Sequence, residues 1–188
     1  MRFLLSSALI FLISLNSFSQ AWVDCGLKGG YGITNLINSG VWNEPKIEPL
    51  ISTGYAYGGK LGLNFNINYQ ITLDFIAKSS NQRYLFEPTQ TIDKWEKNVN
   101  YTSFDIPLLF RHNSDNGSFL EIGPQVSFLT GATETTGSNS IDRKDYFETT
   151  NLGAVFGFGS FIFGGDNAYL VFGLRLHYGF QDLLSNAG

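Results

Sequence analysis

From Trp22 to Tyr178 apolar side chains keep returning at every second position, and that period of two decides the fold class. Over Thr53–Ile67, residues Tyr55, Tyr57, Gly59, Leu61, Leu63, Phe65 and Ile67 fall on one face. Ala56, Gly58, Lys60, Gly62, Asn64 and Asn66 fall on the other. The same alternation predicts six further strands, roughly Trp22–Thr34, Tyr69–Ser79, Tyr101–Arg111, Ser118–Thr130, Asn151–Phe163 and Ala168–Tyr178. The chain is therefore expected to be all-β, an antiparallel meander of seven visible strands.

The connections sort into two classes. The turn around Asn68, His112–Gly117 and Gly164–Asn167 are short, and Asp115-Asn116-Gly117 and Gly164-Gly165-Asp166-Asn167 are expected to supply the positive-φ positions. Asn35–Ser52, Ser80–Asn100 and Gly131–Thr150 are long and polar, so long and short connections lie at opposite ends. Transmembrane barrels segregate their loops in this way. The strands, at 11 residues or more, also exceed the ~9–11 that cross a bilayer at a tilt.

Composition assigns the two faces. The chain is 43% hydrophobic and only 15% charged, with 21 glycines. A lipocalin-type barrel would carry many solvated charges outside. Here the polar face holds Gly, Asn, Ser and Thr with one or two charges per strand, which suits a crowded lumen, and Leu, Phe, Ile and Val suit lipid. Only a closed barrel satisfies every strand backbone group in lipid. Trp22, Tyr31, Tyr55, Tyr57 and Tyr69 are candidate residues of the interfacial aromatic girdles. The net charge of -4 and the lack of a basic block argue against nucleic acid as a partner; outer-membrane lipid is the expected one. Two His and one Cys exclude a Cys/His zinc site and an internal disulfide, and no cofactor or metal is expected.

The first residues have a different character. Arg2, the apolar run Phe3–Leu15 and the small residues Ser17 and Ser19 read as a secretory signal over residues 1–19, with the barrel domain over 20–188. The run is too short for a spanning helix. Lipidation at Cys25 wants a small residue before it, and Asp24 stands there, so Cys25 reads as a small apolar strand residue.

Ser103–Phe110 (SFDIPLLF) resembles the Y/F-x-x-I-P-L-L strand of the PorT-like outer-membrane β-barrel family. Phe119–Pro124 is similar to its L-x-x-G-P strand and Gly153–Gly159 to its Gly-alternating sixth strand. Leu174–Phe180 resembles its R-Y-x-x-G-L strand, and Gly26–Gly32 its G-x-K-x-G opening. The resemblance implies an eight-stranded barrel in the outer membrane. One member type acts in protein secretion, whereas most have no assigned activity. The family's eighth strand would follow Gly179, and Gln181–Gly188 is too short and polar to supply it, so a carboxy-terminally incomplete chain is the expectation.

Inward parity collects Lys28, Lys60, Asp74, Lys78, Asp105, Arg111, Glu121, Arg175 and His177. Charges in a narrow lumen must be paired, so these residues are expected to form a polar network that plugs the barrel. A gated conduit or small-ligand barrel is the alternative. An enzyme is not expected: His177 has no Ser two residues away on its face, and His112 is expected in a short turn. Gly29–Gly32 and Gly157–Gly159 precede no helix and are no phosphate cradles, and Asn113–Gly117 lacks the Glu of a calcium loop. Tyr84, Glu87, Pro88 and Trp95 would either pack over the barrel mouth or offer an exposed aromatic contact. The expected role is a non-enzymatic structural or interaction barrel that meets other envelope proteins through its long loops.

Overall fold

A computed structural model describes residues 21–34, 47–86, 95–137, 139–144, 148–165 and 168–180. The secretory segment and residues 181–188 lie outside them. The strands are β1 (Trp22–Thr34), β2 (Ile47–Leu50), β3 (Ser52–Asn64), β4 (Tyr69–Phe86), β5 (Trp95–Asn113), β6 (Ser118–Thr136), β7 (Asn139–Asp142), β8 (Thr150–Gly164) and β9 (Tyr169–Gly179). All pair antiparallel in one sheet ordered β1-β3-β4-β5-β6-β8-β9, with β2 on β4 and β7 on β6. The meander predicted from the alternation is this seven-strand path.

Seven alternating strands make β1 and β9 run the same way. No ladder joins these two among the described residues. The sheet nevertheless curls far enough for the Tyr169 hydroxyl of β9 to donate to Asp24 Oδ2 of β1 at 2.6 Å.

The turns follow from their residues. Asn66 Oδ1 accepts from the backbone N–H of Asn68 and of Tyr69, at 2.9 and 2.8 Å, closing the β3–β4 turn. Gly117 takes φ 84° in the β5–β6 turn, where its N–H reaches Ser114 O at 2.9 Å. Pro107 and Pro124 donate nothing to their ladders, and the pairing of β5 with β6 lapses at Leu108–Leu109 against Gly123–Pro124. Gly123 is required there, since a Cβ would lie 1.9 Å from Leu108 O.

Outward and inward residues alternate as the sequence predicts. Leu27, Phe172 and Leu176 are 95%, 64% and 68% exposed, whereas Thr72, Asp74 and Gln82 are 0% exposed. A polar inside with an apolar outside inverts a soluble barrel and calls for lipid around it. Tyr31, Tyr55 and Tyr57 lie on the outer face toward the long-loop end. Tyr69 lies on the same face at the short-turn end and stacks on Phe110 at 5.8 Å. Trp22 departs from the expected girdle: it shares the parity of Asp24 and sits at the lower rim of the lumen side.

The long connections are less irregular than expected. Ser80–Phe86 continues β4, Trp95–Asn100 begins β5 and Gly131–Thr136 continues β6. With β2 and β7 they form a sheet that projects past the bilayer, because 18 or 19 residues are about twice a crossing. Arg83 Nε and Nη2 donate to the two Glu96 oxygens at 2.5 and 3.1 Å on that projection. The Arg83 hydrogen bond holds the Glu96 carboxyl below its ordinary value near 4.5. A depressed carboxylate stabilises above its unfolded pKa and loses that contribution as pH falls through the folded one. His112 corrects another expectation, standing in β5 rather than in a turn, with its ring 5.0 Å from that of Tyr69.

Candidate functional site

The hollow of the curled sheet, together with the opening between its edge strands β1 and β9, is a space of about 2290 Å³, and its inner wall carries three tiers of polar side chains. The lowest, near the short turns, centres on Asp24 of β1. Its Oδ2 accepts from Tyr169 Oη, from Gln70 Nε2 at 2.8 Å and from Lys60 Nζ at 3.2 Å. Three other strands thereby converge on one carboxylate. Gly62 opens the room for it: a Cβ there would lie 2.1 Å from Asp24 Oδ1 and 2.4 Å from Gln70 Nε2. Gly62→Thr is expected to cost about 1–3 kcal/mol by overpacking, read as a lower urea midpoint in lipid. An unchanged midpoint would mean that this tier is not packed.

The middle tier is a chain of charges from five strands. Lys28 Nζ of β1 meets Asp74 Oδ2 of β4 at 2.5 Å, and Arg175 Nη1 of β9 meets the same oxygen at 2.8 Å. Arg175 Nε meets Glu121 Oε1 of β6 at 2.5 Å, and Glu121 Oε2 takes Arg111 Nη2 of β5 at 2.7 Å. Asp74, Glu121 and Arg111 are 0%, 2% and 3% exposed. Pairing with hydrogen-bonded geometry is what lets such charges remain inside.

Small residues frame this tier too. A Cβ on Gly157 would lie 2.7 Å from Glu121 Oε1, and one on Gly159 would lie 2.5 Å from the Phe119 ring. Phe119 in turn carries the Arg111 guanidinium 4.1 Å above its centroid, a cation–π contact. The Gly-alternating stretch of β8 thus makes space for a buried carboxylate and a buried ring.

The upper tier lies toward the long-loop end. Asp105 of β5 accepts from Ser103 Oγ at 2.8 Å and from Gln125 Nε2 of β6 at 3.2 Å. Gln125 Oε1 is 2.8 Å from His177 Nδ1 of β9. Lys78 faces the same space, but no carboxylate lies within ion-pair distance of it among the described residues.

Six of the nine predicted lumen residues therefore join ion pairs: Lys28, Lys60, Asp74, Arg111, Glu121 and Arg175. Asp105 and His177 are joined through Gln125 instead. Among the described residues Lys78 has no carboxylate partner, whereas every lumen charge was expected to be paired. Sequence reasoning missed Asp24, Gln70, Gln125, Phe119 and Tyr169, although inward parity marks each of them. Tyr84 turns inward and is 9% exposed, which favours packing over the barrel mouth and not an exposed contact; Glu87, Pro88 and the Trp95 side chain lie outside the described residues. Cys25 is exposed on the outer face, as a small apolar strand residue would be. Among the described residues no three His, Cys, Asp or Glu side chains gather to hold a metal.

An apolar outer face, an ion-paired inside and short turns opposite long strands together specify a barrel made for a membrane. A family model described as an outer membrane protein beta-barrel domain matches residues 18–185. The chain belongs to this family. Its place is accordingly the outer membrane, and the outer-membrane barrel domain takes in all nine strands. By the rule for such barrels the short turns face the periplasm and the β4–β5–β6 projection faces outward. No curated protein and no solved structure matches the chain.

Proposed function

We propose that this outer-membrane barrel is a non-enzymatic structural or interaction protein of the cell envelope, exported by a cleaved signal over residues 1–19, with a lumen that does not conduct. The observation that carries the reading is the middle tier. Its charge chain runs from Lys28 on β1 through Asp74, Arg175 and Glu121 to Arg111, so it crosses the space from the first strand to the last. Permeation would require those buried pairs to part, which costs several kcal/mol for each charge left alone. The projecting strands β4, β5 and β6 then offer the surface for other envelope proteins.

Planar-bilayer recording tests the reading. The protein is expected to give no unit conductance steps, whereas Asp74→Asn combined with Glu121→Gln loosens the tier and allows them. Steps of uniform size from the unmodified protein would instead favour a transport barrel.

A further inference from the structure

We propose that the upper tier is an outward-facing binding site for a small hydroxylated carboxylate, with Lys78 taking the carboxylate and His177 Nε2 accepting a hydrogen bond from the adjacent hydroxyl. The site lies on the long-loop side of the charge chain and does not require the lumen to conduct or to be closed.

Asp105 anchors one half of the site. Its carboxylate is 2% exposed and can only accept, so it fixes the amide of Gln125 with Nε2 toward itself. The same Nε2 donates to Ser127 Oγ at 2.8 Å. The opposite amide orientation would set a carbonyl oxygen against the carboxylate. Gln125 Oε1 therefore faces His177, and a carbonyl oxygen demands a donor. His177 must then carry its proton on Nδ1. In the neutral ring that leaves Nε2 with a bare lone pair, an acceptor on a side chain that lines the lumen.

Lys78 supplies the second half. Its row across the sheet reads Gly30, Ala56, Lys78, Ser103, so none of these neighbours brings a charge. Gly30 in that row and Gly32 beside it leave β1 bare there: a Cβ on either would meet nothing within 4 Å. The lower tiers show what happens when a carboxylate is in reach, since Lys28 and Lys60 each hold one. An ammonium without a carboxylate partner among the described residues and a fixed lone pair, both lining one hollow, suit a ligand that carries an anion and a donor. The donor is a hydroxyl rather than an ammonium, because a second ammonium would stand beside Lys78, while Arg175 is already paired with Asp74 and Glu121 and the Asp105 carboxylate is held by Ser103 and Gln125.

The test uses the full chain in detergent micelles with ¹⁵N-labelled histidine. Only two His are present, and His112, tilted against Tyr69 at the outer face, is the internal control. Glycolate should shift the His177 Nε2 resonance saturably and leave His112 unmoved. Acetate, which lacks the hydroxyl, should bind at least about tenfold more weakly, the worth of one good hydrogen bond to a charged or fixed partner. Lys78→Gln should abolish the glycolate shift and Lys78→Arg should keep it, which separates lost charge from lost fold. Equal binding of acetate and glycolate, parallel shifts at both histidines, no saturable shift at all, or binding retained by Lys78→Gln would each overturn the proposal.

Discussion

Arginine in place of Leu174 is expected to cost the folded, inserted state about 2–4 kcal/mol, and arginine in place of Leu61 about the same. Both leucines are on the outer face, 57% and 51% exposed, near the middle of their membrane crossings. Leu61 also stands in a row of apolar partners, Cys25 on β1 and Leu73 on β4, with Leu108 beyond. A guanidinium placed there must leave water for hydrocarbon, or drag water and headgroups inward. Leu63 provides the contrast, because it lies one residue from the end of β3. Arginine at 63 can reach the interface and is expected to cost only about 0–1 kcal/mol. Urea titration in lipid bilayers reads all three. A flat profile across Leu61, Leu63 and Leu174 would contradict lipid on this face.

That outer face was the most legible part of the chain. Lipid on one side and a crowded lumen on the other force an apolar/polar contrast along most of each crossing, and Gln70–Phe75 shows it residue by residue, until the inward Ile76 breaks it. The contrast ends where both faces of a strand are polar. Ser80, Gln82 and Asn81 give no alternation to read, although Ser80 and Gln82 are buried and Asn81 is not, so β4 runs seven residues farther than periodicity indicates. Burial there depends on neighbouring strands, not on solvent contrast.

Site residues were legible by face but not by partner. Parity places Lys28, Lys60 and Lys78 inside; whether each meets a carboxylate depends on the stagger and curl of the sheet. Asp24 and Tyr169 are 145 positions apart and meet only because the sheet curls. The sequence offers Asp24 most visibly as the residue beside a cysteine, and that local reading hid its lumen role. The glycines of β8 carried a signal that needed Glu121 and Phe119 in place to interpret.

The largest effect is expected at Glu121. Replacing it by Gln keeps the shape of the side chain and removes the charge shared by Arg111 and Arg175. Arg175 retains Asp74 at 2.8 Å, but Arg111, at 3% exposed, loses the ion-pair partner it has among the described residues. An uncompensated buried guanidinium costs about 3–5 kcal/mol, which is a large part of the stability of a typical domain. The Phe119 ring 4.1 Å below offsets a fraction of that through its π face. The decisive comparison is a second substitution. Arg111→Leu in the Glu121→Leu background removes both charges, and it is expected to recover most of what Glu121→Leu alone loses, because no charge is then stranded. Urea unfolding in bilayers followed by tryptophan fluorescence measures the cycle. If the double variant falls by the sum of the two single losses, the pair is not coupled and the middle tier does not hold the lumen as its geometry indicates.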